Sequence, residues 1–410
     1  MGCLHPVRPS LTAKGNRVET AGFPCRKLAR IYRLSGICRN SSYLFLDSLH
    51  DRSRISDVPP SASALRYYLA GCRILLAQKA FSMYSCYPLI GEYLDGTTAS
   101  GLYEAKLGKE CMGKENHIFS PAYREDEFEE VLESCEHLVF NSFSQLECFG
   151  ERAAKAGKSV GIRVNPECST QGEHAIYDPC APGSRLGILV SEFPETLPSY
   201  VEGLHFHTLC EQNADALEIT LKAVEEKFGK WMKQLKWVNF GGGHHITRAD
   251  YDRELLISCV RRIQDTYNVQ VYLEPGEAVA LNAGHLITTV EDIVHNDIAV
   301  LDVSAACHMP DVIEMPYRPP LFDSGEAKVK EYTYLLGGPT CLAGDVIGSY
   351  SFDQPLKVGD RLTFGDMAIY TTVKNNTFNG MRLPDIVWER ESGECEIVKS
   401  FGYEDFKCRL

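Results

Sequence analysis

The chain has 410 residues, enough for two or three domains and for a large core that needs no disulfides or metals. It carries 42 basic against 55 acidic residues, a net charge of −13, which argues against nucleic acid and anionic membranes as partners and favours a cationic small molecule. No apolar run reaches the ~18 residues of a membrane span, and the 16 cysteines form no CxxC pair, so we expect free thiols in a reducing, cytoplasmic compartment.

Residues 1–54 hold ten Lys/Arg and three Asp/Glu, a charge of +7 that leaves −20 for the rest. Rich in Arg and Ser and poor in acids, residues 1–60 read as an atypical basic segment. It is either a disordered leader or part of a β domain, to which 43–47 (YLFLD) would supply a strand. Beyond it, short apolar runs alternate with amphipathic stretches. The runs are 73–79, 93–98, 117–120, 137–141, 159–165, 201–207, 236–240 and 269–274; helical stretches lie at 125–135, 144–157, 214–235 and 248–267. Eight such units predict a parallel (β/α)8 barrel over 61–285. From 286 to 410 the segments 287–294, 298–304, 332–336, 360–364 and 368–373 are β-rich, separated by Gly and Pro, with no long helix between them. They predict a C-terminal all-β domain.

Chemistry-bearing residues sit at the ends of the barrel runs, which in this architecture converge on one mouth. Lys79 closes the first run. A partly desolvated lysine can attack an aldehyde, though a strand-end lysine also simply snorkels to water. Arg163 lies near the end of the fifth run, and His205 and His207 end the sixth. Gly241, Gly242 and Gly243 follow the seventh, where their amides can approach a phosphate closely or merely form a tight turn. Glu274 ends the eighth, ahead of Pro275-Gly276, and a carboxylate there can hold a pyridine nitrogen protonated. His207 offers a flat ring for stacking, whereas His205 is equally well a core histidine. Together these groups are what pyridoxal 5'-phosphate requires.

Seven stretches carry a family resemblance: 76–82 (LAQKAFS), 203–212 (GLHFHTLCEQ), 237–245 (WVNFGGGHH), 273–282 (LEPGEAVALN), 305–319 (AACHMPDVIEMPYRP), 337–350 (GGPTCLAGDVIGSY) and 374–380 (KNNTFNG). Over about residues 65–390 the chain resembles the fold-type III, alanine racemase-like pyridoxal-phosphate decarboxylases, and within them those acting on carboxynorspermidine and carboxyspermidine. The resemblance implies that Lys79 carries the cofactor, His207 stacks on its ring, Glu274 pairs with its nitrogen and Arg163 lies beneath. It also implies that Gly241, Gly242 and Gly243 hold the phosphate with help from Tyr370. Cys341 of the partner subunit would donate a proton, which implies a homodimer with a shared site.

Amino-acid decarboxylases of this group commonly carry Arg after Glu-Pro-Gly, where this chain has Glu277. An anion there favours an amine-rich substrate, a carboxylated triamine, over one with a second carboxylate. Asp311 would bind another amine, with Asp302 and Asp345 as further candidates. Three rivals remain at this point. They are a decarboxylase for diaminopimelate, ornithine or arginine, a non-catalytic cofactor carrier, and a metal-dependent hydrolase built on His205, His207, His244 and His245.

Overall fold

The computed structural model describes residues 71–172, 175–390 and 392–410, together with the backbone of one early strand, β1 (Tyr43–Leu46). The leader expected for 1–60 otherwise lies outside the described residues.

Eight strands close a barrel in sequence order, every pair parallel. They are β2 (Arg73–Ala77), β3 (Gly96–Ala99), β4 (Glu115–Phe119), β5 (His137–Phe140), β6 (Ser159–Arg163), β7 (Val201–His205), β8 (Trp237–Asn239) and β9 (Gln270–Leu273). β9 returns to pair with β2. The strands are buried almost throughout, as expected where helices cover the outside and side chains fill the inside. The covering helices include α1 (Tyr87–Tyr93), α2 (Leu102–Cys111), α3 (Phe128–Ser134), α4 (Phe143–Lys155), α5 (Ala214–Met232) and α6 (Arg253–Tyr267). α6 starts five residues later than the stretch read from sequence, because the Asp252 side chain accepts the Leu255 amide and caps it there. The strand read at 93–98 starts only at Gly96, since Leu94 still closes α1.

The Trp237 indole packs inside the barrel with Leu75, Val139 and Tyr272. It fits because β6 and β7 present Gly161 and Gly203 beneath it; a methyl group at either would overlap the ring. Gly203→Ala is therefore expected to destabilise the fold by at least about 1–3 kcal/mol, the usual cost of overpacking. Urea unfolding measures this, and an unchanged midpoint would refute the packing argument.

The remaining strands form a nine-stranded sheet with β1: β10 (Gly284–Val294), β11 (Ile298–Leu301), β12 (Gly325–Glu326), β13 (Tyr332–Gly337), β14 (Val346–Phe352), β15 (Arg361–Phe364), β16 (Asp385–Glu389) and β17 (Cys395–Lys399). Its order is β12-β14-β13-β11-β10-β1-β16-β17, with β15 also on β10. β1 runs antiparallel to β10 and parallel to β16. The strand expected at 368–373 does not form. Tyr370 takes φ 55°, which an extended strand does not tolerate, and its amide donates to Ala80 O at 2.8 Å. That bond ties the sheet's loop to the residue beside Lys79. Among the described residues every cysteine is free, and no helix is long and apolar enough to cross a membrane.

Candidate active site

Pairing continues just past β2: the Ala77 amide donates to Pro275 O and the Gln78 amide to Thr98 O, both at 3.1 Å. Lys79 consequently stands at the barrel rim, between the ends of β9 and β3. Its side chain is accessible through the open mouth, yet walls of protein surround it. Desolvation by those walls, then the Arg163 guanidinium, hold its amine below the ordinary lysine value, while Glu274 pulls the other way.

One row of polar side chains crosses the neighbouring strands. Strand register places Arg163 opposite His205, and His205 opposite Asn239. Both His205 and Asn239 turn to Glu274: His205 Nε2 lies 3.2 Å from one carboxylate oxygen, and Asn239 Nδ2 donates to the other at 2.8 Å. Burial alone would raise the Glu274 pKa. The His205 contact and the Asn239 hydrogen bond outweigh it and bring the value down to about 2. Glu274 is thus a fixed, buried anion. Burial lowers His205, while its contact with Glu274 pulls the other way.

Arg163 is also buried. It donates weakly to His207 O at 3.4 Å, and its guanidinium lies 4.4 Å from the Phe119 ring centre. Phe119 in turn stacks on His205, with centroids 5.6 Å apart. Burial lowers Arg163 to about 10, opposed by Glu274, so it remains a cation at neutral pH.

The glycine run threads closely between strand ends. A side chain at Gly241 or Gly243 would meet the backbone of 206–210, and one at Gly242 the carbonyl of Glu274. Gly241 and Gly243 also adopt φ values of 70° and 83°. Their backbone therefore requires glycine twice over. The Gly241 amide donates to Asn239 Oδ1 at 2.8 Å and the Gly242 amide to His207 Nδ1 at 2.9 Å. The run is thus a tight turn as well as a candidate anion cradle, and two of its donors are engaged within the protein. Accepting at Nδ1 leaves the proton on Nε2 of His207. Desolvation, with Lys79 and Arg163 nearby, keeps that ring neutral.

The expected amine-binding acids separate into two kinds. A carboxylate oxygen of Glu277 comes within 4.8 Å of a Glu211 carboxylate oxygen and a His245 ring nitrogen. Asp311, by contrast, already ion-pairs with Lys374 and accepts from Tyr177 at 3.4 Å. Asp302 receives Thr288 Oγ1 and the Thr289 amide, while Asp345 receives Ser304, Ala306 and Thr340. Those last two accept hydrogen bonds within the sheet domain. Asp345 also braces the turn that carries Cys341, an exposed thiol whose amide donates to Asn379 at 2.8 Å.

The four histidines of the hydrolase reading do not assemble. Among the described residues, the groups of three potential ligands are Glu115–His117–His137 and Glu211–His245–Glu277. Neither includes His205, His207 or His244. Sequence reasoning left His205 unassigned and passed over Asn239, Phe119, Glu211 and Asp366. The signal for His205, Asn239 and Phe119 was their place at the ends of strands, and Glu211 falls within the stretch 203–212; for Asp366 the sequence offered none.

Residues 43–368 match the family model described as pyridoxal-dependent decarboxylase, C-terminal sheet domain. The chain is 47% identical over 353 residues to a carboxynorspermidine/carboxyspermidine decarboxylase of Campylobacter jejuni, covering 83% of this chain and 92% of that one. It is 41% identical to a carboxyaminopropylagmatine decarboxylase of Synechocystis, over 83% and 89% of the two chains. The crystal structure of carboxynorspermidine decarboxylase complexed with norspermidine from Campylobacter jejuni superposes with a TM-score of 0.81 at 44% identity, over 90% of this chain and 99% of that one.

Proposed function

Because the chain belongs to the pyridoxal-dependent decarboxylases, we propose that it binds pyridoxal 5'-phosphate in the barrel mouth and decarboxylates carboxynorspermidine, carboxyspermidine or both. The observation that carries this reading is the convergence of Lys79, His207, Glu274 and the glycine run on one mouth. The residues fit the cofactor. Lys79 would hold its aldehyde end. The buried Glu274 anion would keep the ring nitrogen protonated, and the neutral His207 ring would lie against its face. Gly241, Gly242 and Gly243 would seat the phosphate, aided by Tyr370 from the sheet, with Arg163 below. When bound, the cofactor supplies an electron sink for the bond to the departing carbon dioxide.

This chain's residues then position and protonate. His205 and Asn239 fix the Glu274 carboxylate, and Phe119 supports His205 and Arg163. A proton must replace the lost carboxylate on the substrate carbon. We assign its delivery to Cys341 of the partner subunit in a homodimer; within one protomer the thiol is exposed on a turn braced by Asp345. The free cysteines agree with a cytoplasmic setting.

The substrate class rests on the relatives' activities and on Glu277, an anion at the mouth. Carbon dioxide release from carboxynorspermidine, carboxyspermidine, carboxyaminopropylagmatine and diaminopimelate tests it. The carboxylated triamines should exceed diaminopimelate by at least ~100-fold in kcat/KM, because a second carboxylate would meet Glu277 without a cation. A preference for diaminopimelate would reject the proposal.

A further inference from the structure

We infer that Glu211 acts with Glu277 as a two-carboxylate seat for a cationic amine of the substrate, an assignment that rests on the substrate class proposed above. The geometry of the mouth points to it. One oxygen of each carboxylate and a ring nitrogen of His245 lie within 4.8 Å of one another. Such closely placed acids repel unless a cation or a shared proton stands between them. Among the described residues, no lysine or arginine forms an ion pair with either acid. Arg248 touches only the main-chain carbonyl of Glu211 and gives its charge to Asp250. Lys374 is taken by Asp311 and Glu314. Lys374 thus offsets part of the charge of Asp311 and Glu314, whereas no lysine or arginine among the described residues pairs with Glu211 or Glu277.

A second observation concerns the ring rather than the acids. His245 is 6% exposed, and neither of its ring nitrogens makes a hydrogen bond. Its Nε2 faces Glu277 at 3.5 Å. A buried imidazole turned into the cluster without a hydrogen bond indicates that the site is built for an occupant.

The backbone holds both acids firmly. Glu211 adopts φ 53°, in the left-handed region that a glutamate rarely enters. It is kept there by its neighbour: the Gln212 amide donates to Gly243 O at 3.0 Å, and the His245 amide to Gln212 O at 3.4 Å. Glu277 is attached through Pro275-Gly276 to Glu274. The two carboxylates thus hang from the same backbone that sets the glycine run and the cofactor-facing anion. Asp366, also at a positive φ of 55°, is in electrostatic range of Glu277 and His245. Burial, then Glu277, raise the Glu211 pKa, as befits an acid waiting for a cation.

Two carboxylates and an imidazole also suit a divalent metal. An organic amine is favoured because the mouth is the substrate-facing end of the barrel and the phenols of Tyr317 and Tyr370 lie within electrostatic range of the same acids, a mixed aromatic and anionic lining that suits an alkylammonium.

The test is norspermidine binding to the holoprotein by titration calorimetry, in wild type, Glu211→Gln, Glu277→Gln and the double variant. Each single change should weaken binding at least ~10-fold, and the double less than the product of the two, because both acids hold one charge. Glu211→Asp keeps the charge in a residue that tolerates positive φ, and should recover part of the loss. An unchanged visible spectrum of the bound cofactor shows that the mouth is intact. Glu211→Gln binding within about twofold of wild type overturns the assignment. So does wild type that fails to bind norspermidine, or one that carries stoichiometric zinc whose removal abolishes binding. Carbon dioxide release by wild type is scored separately, so failure of the proposed reaction is distinguishable from failure of the seat.

Discussion

Lys79→Ala protein is expected to fold, to lack the visible absorbance of bound cofactor and to lose at least ~10³-fold in turnover, the scale of removing a covalent or proton-transferring group. The expectation follows from placement. Backbone bonds to opposite neighbours fix the two residues ahead of Lys79, Ala77 to Pro275 and Gln78 to Thr98. Tyr370 fixes the residue after it through Ala80. The amine is thus delivered to one spot, and desolvation together with Arg163 enlarges its unprotonated, nucleophilic fraction. Arginine at this position should not rescue, since a guanidinium stays charged and cannot attack a carbonyl. Absorbance spectra, carbon dioxide release and a thermal melt give the three readouts. A variant that retains both colour and turnover would remove Lys79 from the site.

Acidification should destabilise the fold steeply between pH 6.5 and 4.5. Burial first lowers His137 to about 3, and lowers His244 and His308 to about 4, against an ordinary 6.5. In the unfolded chain each would titrate near the ordinary value. The unfolded state then binds more protons throughout this window. The stability these neutral rings contribute is complete above pH 6.5 and is lost as pH falls toward their folded values. Each group contributes up to about 1.4 kcal/mol per pH unit, so the three approach about 4 kcal/mol per unit once the unfolded rings are charged. His205 and His207 shift in the same direction. The raised carboxyls of Glu211 and Asp366 act oppositely. Against a typical stability of ~5–15 kcal/mol, the histidines should bring unfolding within reach near pH 5. Urea midpoints at pH 7.5 and 5.5 measure the slope, and His308→Gln should flatten it. Equal midpoints would show that the rings are charged in the native state.

The barrel was legible because buried parallel strands write themselves as short apolar runs with one polar residue at the end. Lys79, Arg163, His205 and Glu274 all stand in that position. The glycine run was legible because its backbone passes too close to 206–210 and to Glu274 for any side chain. What stayed hidden depended on contacts between distant segments. Nothing near Asp311 in sequence announces Lys374 as its partner. Asp345 reads as a loop acid until Ser304 and Ala306 are brought to it. Residues 368–373 carry β-branched and aromatic side chains, but the bond to Ala80 from the barrel imposes a turn. Propensity yields there to a tertiary contact. Strands β14 and β17 were missed since partly exposed strands with polar faces lack a continuous apolar run, β12 is only two residues long, and the apolar part of β16 spans only 386–388.

The position of β1 governs the order in which the molecule can be assembled. It separates β10 from β16, so among the described strands the hairpin of β16 and β17 joins the sheet through it alone. On the ribosome, β1 emerges before the whole barrel and must wait for both neighbours to be synthesised. Until Asp385–Glu389 arrives, one edge of Tyr43–Leu46 has no strand to pair with. The barrel can close from local units, whereas the sheet is completed only by joining the chain's early and late segments, the slowest class of contact to form.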